Sequence, residues 1–258
     1  MTELRRILRL ARNDFSYFFR TKWLMAVLLS LNLSDMLVVA LVYNKLMSFH
    51  YFQFFVPGVV VMGLFVAALD TGRRIWLAIR EGVIHYYLSL PISTRGVVAA
   101  YLLAGGLAAL VYSTSLLLIA LVVLPAQAVW STLVLLPFIF VLATGLAGIS
   151  ATLAALASTH GEFFFAYQQI VQIMFLTLST VYYPIEVVGK YLPPFLTGIV
   201  SANPLSLAAE AMRQYTFAGQ QIEPFFLLKL LLSSIPFTVI GAASYLVVLN
   251  RIRAKGKL

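Results

Sequence analysis

Chemistry needs side chains that hold charge, move protons or ligate metals, and this 258-residue chain carries few: only 10% of it is charged. His50, His85 and His160 are widely separated, and none stands in the H-E-x-x-H spacing with which one helix face offers two imidazoles to zinc. Cysteine is absent, which removes disulfides, iron–sulfur clusters and thiolate-held metals. No G-x-x-x-x-G-K-[ST] loop is present to cradle a triphosphate by that route. Two carboxylates stand out by their surroundings. Asp35 sits in mid-run among apolar residues, with Asn32 one turn away and Ser34 beside it. A charge at the bilayer centre costs about 2.5–3.5 kcal/mol on insertion scales. Asp35 therefore reads either as part of a buried polar cluster or as a group facing a translocation path or exchanging a proton. Asp70 precedes Arg73 and Arg74 by three and four residues, the spacing of a local helical ion pair. Gln169, Gln172 and Thr180, with Ser179 alongside, fall roughly on one helix face; pore lining and interhelical hydrogen bonding explain them equally well.

The elements that position these residues follow from composition. Hydrophobic residues make up 62% of the chain, against roughly 45–50% in a soluble domain. One core of this length could not bury that much apolar surface, so soluble enzymes, soluble binding domains and disordered chains are excluded. Six stretches are long enough to cross a bilayer as helices: Trp23–Tyr43, Gln53–Gly72, Gly96–Leu124, Ser131–Ala157, Phe163–Tyr183 and Phe225–Leu249. The chain thus reads as a single all-α transmembrane domain over residues 1–258. The net charge of +9 reads as the positive-inside asymmetry of a membrane protein rather than as a nucleic-acid footprint. Arg5, Arg6, Arg9, Arg12, Arg20 and Lys22, then Arg73, Arg74, Arg80 and Arg95, then Arg251, Arg253, Lys255 and Lys257 all fall on one side of a six-span topology. That side is the cytoplasm, and both termini are expected there. No cleavable signal peptide is expected, because the first apolar run begins near Trp23 and no small-residue site closes it.

Three segments between the spans are distinctive. Residues 1–22 read as an interfacial amphipathic helix, with Leu4, Ile7, Leu8, Ala11, Phe15 and Phe19 on one face and Arg5, Arg9 and Arg12 on the other. A membrane anchor is the simple account; a lever touching a cytoplasmic partner is the alternative. The loop Arg73–Arg95 predicts a short helix over Ile79–Leu90, stopped by Pro91. Residues 184–224 are apolar yet broken by Pro184, Pro193, Pro194 and Pro204 into pieces too short to cross. Asn203-Pro204 has the form of an N-cap followed by proline at the first helical position. The segment predicts a re-entrant pair of short helices between spans five and six. Gly145, Gly148, Ala151, Ala154, Ala155 and Ser158, and Gly105, Gly106 and Ala109, read as close helix packing. The aromatics bracketing the fifth span, Phe163 to Phe165, Tyr167, Tyr182 and Tyr183, read as interface belts.

These features resemble one family. Phe55-Val56-Pro57-Gly58, then Arg80-Glu81-Gly82, then Tyr87-Leu88-Ser89-Leu90-Pro91-Ile92-Ser93 are similar to the permease subunits of type-2 ATP-binding-cassette (ABC) exporters. So are Tyr182-Tyr183-Pro184-Ile185-Glu186, Leu192-Pro193, Ala202-Asn203-Pro204-Leu205 and Glu210-Ala211-Met212-Arg213 downstream. Order and spacing carry the resemblance, which covers essentially the whole chain. It implies a multi-pass protein of the cell (inner or cytoplasmic) membrane that pairs with a second permease, identical or related. Each permease would dock a separate cytoplasmic ATPase subunit. The coupling helix would span residues 79–90, with Arg80, Glu81, Gly82, His85, Tyr86, Tyr87, Leu88 and Pro91 meeting the ATPase. A path between the permeases would take Asn32, Asp35, Gln169, Gln172 and Thr180 as candidate lining. The outer gate, Pro184–Gly219, would include Glu186, Asn203, Pro204, Glu210 and Arg213. The resemblance implies no catalysis and no cofactor in this chain, with ATP and Mg held by the partner; membrane lipid is the remaining partner, and no nucleic acid is expected. A polytopic membrane enzyme, a protease or lipid-modifying transferase, and a self-sufficient secondary transporter are the alternatives. The first needs facing catalytic carboxylates or histidines, and the second inverted repeats broken near the midplane.

Overall fold

A computed structural model describes residues 2–46, 50–157 and 160–254; Ser158, Lys255 and Lys257 lie outside them. Every regular element among the described residues is helical. Five helical stretches are long and apolar enough to cross a membrane: Met25–Leu46, Tyr51–Arg80, Thr94–Val123, Val129–Leu156 and Pro224–Ala254. The chain is an all-α, multi-pass membrane protein.

Helix α1 (Glu3–Arg20) lies across one end of the bundle. The first crossing stretch is α2 (Lys22–Ser34), a π turn over Asp35–Val39, and α3 (Ala40–Leu46). Helices α4 (Tyr51–Arg80), α6 (Thr94–Val123) and α7 (Val129–Leu156) follow, with the short α5 (Val83–Ser89) between the first two. Then come α8 (Gly161–Thr177), three short helices α9 (Ile185–Tyr191), α10 (Pro194–Ala202) and α11 (Pro204–Ala211), a π segment (Met212–Phe217), and α12 (Pro224–Ala254). Pro57, Pro137 and Pro236 sit inside crossing helices, as bilayer helices tolerate when neighbours resupply the lost hydrogen bonds.

Helix α4 is the hub. Phe55, Val56, Val59, Leu64, Phe65, Ala67, Ala68 and Leu69 are wholly inaccessible, whereas most of the first crossing stretch is exposed. Small residues make the packing. A Cβ at Gly148 would lie 2.9 Å from the Gly241 Cα, and one at Gly145 would lie 2.6 Å from the Thr238 nitrogen, so α7 and α12 touch backbone to backbone. Gly72 meets Ser150, whose hydroxyl donates to the Leu69 carbonyl. Lipid tails are as apolar as leucine, so close approach and such hydrogen bonds hold bilayer helices together. The glycines and alanines read from the sequence as packing residues do so.

Three boundaries differ from expectation. The loop helix is α5, Val83–Ser89, shorter than Ile79–Leu90: Ile79 and Arg80 belong to α4, which is closed by Gly82 at φ +73. Only glycine takes that left-handed conformation without steric cost. Residues 184–224 hold three short helices and a π segment rather than a pair. The fifth apolar stretch is helical only to Thr177. There Asn203 Nδ2 takes the Phe175 and Leu178 carbonyls, at 3.1 and 2.6 Å, and the Ser179 hydroxyl takes that of Leu176. Side chains thus replace the next helical turn.

Candidate functional site

The polar groups gather at three levels of the bundle. At the α1 end, the helical order of α1 sorts its side chains into four sectors. Ile7, Leu10, Ala11, Asp14 and Phe18 face the bundle; Leu4, Leu8, Phe15 and Phe19 form an apolar side; Arg5, Arg9 and Arg12 are exposed. Arg6 and Asn13 face the loop that carries α5. This divides the single apolar face expected for α1: Ile7 and Ala11 turn inward, while Leu4 and Leu8 stay exposed.

Asp14 is buried against Arg74, whose Nη1 donates to its carboxylate and to its backbone carbonyl. Arg74 Nη2 donates to Thr71, 3.0 Å away, and the guanidinium lies 5.3 Å from the Phe18 ring centroid. Asp70 accepts from Arg73 Nε at 2.6 Å and lies 3.5 Å from Arg74 Nε, the local ion pair that the spacing predicts. The four charges form one buried cluster tying α1 to α4. On the α5 side, Arg6 donates to the Pro91 carbonyl, Asn13 Nδ2 donates to the Tyr87 hydroxyl at 2.8 Å, and Glu3 accepts from the Ser93 hydroxyl and amide. Those bonds from Ser93 hold the Glu3 carboxyl below its ordinary pKa. Burial pushes the Tyr87 hydroxyl up. A cavity of about 360 Å³ lies between α1 and α5, lined by Arg6, Arg9, Asn13, Tyr86, Tyr87 and Pro91 among others.

The residues expected on the coupling segment divide accordingly. Arg80 ends α4 and Glu81 and Gly82 form the elbow after it, with the Arg80 guanidinium 5.3 Å from the Trp76 ring centroid. His85 and Tyr86 point outward. Tyr87 and Leu88 pack inward, Tyr87 against Tyr101 at 6.4 Å, and Pro91 is held by Arg6.

At the opposite end, Arg213 joins three elements. Its Nε donates to the Phe54 carbonyl at 2.9 Å, its Nη2 to the Thr180 carbonyl at 2.8 Å, and its Nη1 to Glu210 at 3.3 Å; the guanidinium lies 3.7 Å from the Phe54 ring centroid. Asn203 is the second joint. Its amide closes α8, and its Oδ1 accepts from the Leu205 amide to open α11, with Pro204 at the first helical position as expected. Thr180 is buried on Ser206, whose hydroxyl accepts from its amide at 2.9 Å. Pro184 opens α9, and Glu186 is exposed. The structure thus gathers Thr180, Glu210 and Arg213 at one junction, with the exposed Glu186 within electrostatic reach of Arg213.

Between the two ends, Asn32 is buried, its Nδ2 donating to the Tyr112 hydroxyl and the Leu28 carbonyl, each at 2.9 Å. Asp35 is half-buried at the start of the π turn, Gln169 is exposed and Gln172 half-buried on α8. The residues after His160 follow α4 along its length. Phe164 stacks 6.5 Å from Trp76, Phe175 5.7 Å from Phe65, and Tyr182 5.8 Å from Phe55.

Sequence reasoning missed Asp14, Asn13, Tyr112 and Phe54 as organising residues. For Asp14 a signal existed, an acidic residue inside a helix otherwise basic and apolar. Asn13, Tyr112 and Phe54 depend on partners 74, 80 and 159 residues away, which no local pattern reveals. The chain matches no protein-family model and no curated protein sequence.

Proposed function

We propose that the chain is the membrane-spanning permease subunit of a type-2 ABC exporter, with six crossings, both termini cytoplasmic, and a re-entrant outer segment over residues 184–224. It works beside a second permease and is driven by a separate ATPase that binds ATP and Mg. The observation that carries this reading is the junction at the α1 end. A short helix bridges two crossing helices, its Ile84 and Tyr87 packed into the bundle, and is fixed by side-chain bonds from α1 and by a glycine elbow to the fully packed α4. Such a piece passes a push from outside into the bundle as a rigid-body motion. Exposed Glu81, His85 and Tyr86 offer the contact surface, and the Arg6–Arg9 cavity beside α5 offers it positive charge.

Two further features support the topology. The pairs Trp76–Phe164, Phe65–Phe175 and Phe55–Tyr182 run the chain after His160 antiparallel to α4 over 21 residues of that helix, about 31 Å at helical rise. That matches a hydrocarbon core of about 30 Å and supports reading this segment as the sixth crossing. The packed interior of α4 leaves the exposed faces of α2, α3 and α8, with Gln169, to line a path between two permeases rather than within one.

The test is co-purification in mild detergent, in which an ATPase subunit is retained. In reconstituted vesicles Glu81→Ala or Tyr87→Asp uncouples ATP hydrolysis from transport while the protein still inserts. A chain that transports without any ATPase, or normal coupling in both variants, refutes the reading.

A further inference from the structure

Arg6, Arg9 and Asn13 share one face of α1, spaced three and four residues apart. The first and last of them are rungs to the α5 side: Arg6 donates to the Pro91 carbonyl, and Asn13 Nδ2 to the Tyr87 hydroxyl at 2.8 Å. Seven residues separate the rungs, about 10.5 Å at helical rise. Arg9 stands between them and makes no hydrogen bond or ion pair with any described residue. Between the rungs lies the cavity of about 360 Å³, a volume within the range of small-ligand sites. It is open to solvent: Arg9 and Asn13 are exposed, Arg6 is half-buried, and Tyr86 is 62% exposed.

The walls fix the chemistry of an occupant. Two guanidiniums line the cavity, and no carboxylate of the described residues does. Both acids of α1 are spent elsewhere, Glu3 on Ser93 and Asp14 on Arg74. The Tyr87 hydroxyl accepts from Asn13, so its own proton is left to give. The Tyr86 ring stands beside it at 5.9 Å, and its hydroxyl makes no hydrogen bond with any described residue. Four donor groups thus meet with no counter-charge from the fold. Arg6 and Arg9, about 5–6 Å apart at Cβ, reach one group together, and the planar fork of arginine matches carboxylate and phosphate oxygens. A carboxylate brings two oxygens to these four donors; a phosphate monoester brings three terminal oxygens and up to two charges. Leu10, Leu90, Pro91 and Ile92 complete the lining with an apolar floor for the organic part of the ester.

We propose that the cleft between α1 and α5 is a binding site for a phosphate monoester, held by Arg6 and Arg9 with the Tyr86 and Tyr87 hydroxyls. The same group comes from two sources, a soluble ester or a lipid headgroup. The exposed Leu4 and Leu8 seat α1 at the membrane surface, within reach of both. An occupied cleft loses the positive charge offered to the ATPase; that consequence rests on the exporter reading, and the binding itself does not.

The experiment uses the purified full chain in a neutral maltoside detergent. One arm measures binding of radiolabelled glycerol 3-phosphate, with succinate as carboxylate competitor. The other extracts the chain from vesicles of phosphatidylcholine and phosphatidic acid, whose headgroup is that same monoester, and quantifies the retained lipid by mass spectrometry. Saturable binding in the first arm assigns a soluble source, and retention of phosphatidic acid over phosphatidylcholine in the second assigns the headgroup; each upholds the site. Arg6→Gln with Arg9→Gln lowers the binding or the retention ratio at least tenfold. Arg5→Gln with Arg12→Gln removes the same charge outside the cleft and stays within a few-fold of wild type. If the first pair does not fold, Arg9→Gln alone, which breaks no bond, lowers the signal at least fivefold. Equal loss in the two double variants, succinate competing as well as unlabelled glycerol 3-phosphate, or neither saturable binding nor selective retention overturns the proposal. No ATPase enters either arm, so the site and the exporter reading fail separately.

Discussion

Single side chains carry most of what joins α1 to the bundle. Asp14 enters the core because Arg74 meets it there, and neither is tolerable alone in that setting. Removing one member of a buried ion pair costs about 3–5 kcal/mol, whereas replacing both by apolar residues is often close to neutral. Asp14→Ala should therefore lower the stability of the detergent-solubilised protein by about 3 kcal/mol. Asp14→Leu combined with Arg74→Met should recover most of it. Thermal unfolding of the single and double variants, read as a double-mutant cycle, checks this; equal losses in the single and the double variant would show that the pair is not what holds α1. Arg213 has a similar place at the other end, but its partners are mainly backbone carbonyls. No single replacement partner can restore it.

Among elements, α5 depends on its elbow. Gly82 occupies a left-handed conformation, and a Cβ there would meet only the His85 ring at 3.8 Å, so the constraint is conformational and not one of space. Gly82→Val should cost about 1–2 kcal/mol locally and re-aim α5. Its expected result in vesicles is a lower ratio of transport to ATP hydrolysis, with Gly82→Asn close to wild type because asparagine tolerates that conformation. A Gly82→Val protein with normal coupling would show that the direction of α5 is immaterial. The crossing helices were legible in the sequence because an apolar run of bilayer length has few folded alternatives. The Asn203-Pro204 helix start was legible because its signal is local. The end of α8 was not: Leu178 to Tyr183 is as apolar as the helix before it, and what stops the helix is Asn203, a quarter of a hundred residues downstream. Asp14–Arg74 was hidden for the same reason, since a contact across 60 positions leaves no periodic trace. For the polar residues of the first crossing stretch, the sequence showed Asp35 and Asn32 but not that Tyr112 and Leu28 use up the Asn32 amide and leave its oxygen over.

The molecule as a whole has an axis. α4 runs from the Arg213 junction to the Asp14–Arg74 cluster without an exposed turn between, so each end is mechanically tied to the other. Its orientation across the bilayer is directly measurable, because a chain with no cysteine accepts single-cysteine labelling without background. With six crossings, Arg80→Cys and Arg253→Cys react with an impermeant maleimide from one face of the membrane, and Lys190→Cys from the other. With five, Arg253 would change sides relative to Arg80. The accessible face of each residue therefore decides whether the 17-residue α8, with the turns after it, traverses the bilayer.

Asn203 carries one more implication, for how the protein ages. An asparagine ordinarily deamidates when the amide nitrogen of the next residue attacks its side chain and closes a succinimide. The next residue is Pro204, whose ring nitrogen has no proton to give up. The side chain that fastens two helix ends together is therefore shielded from the commonest spontaneous damage to its kind, and this joint should outlast the other asparagines of the chain.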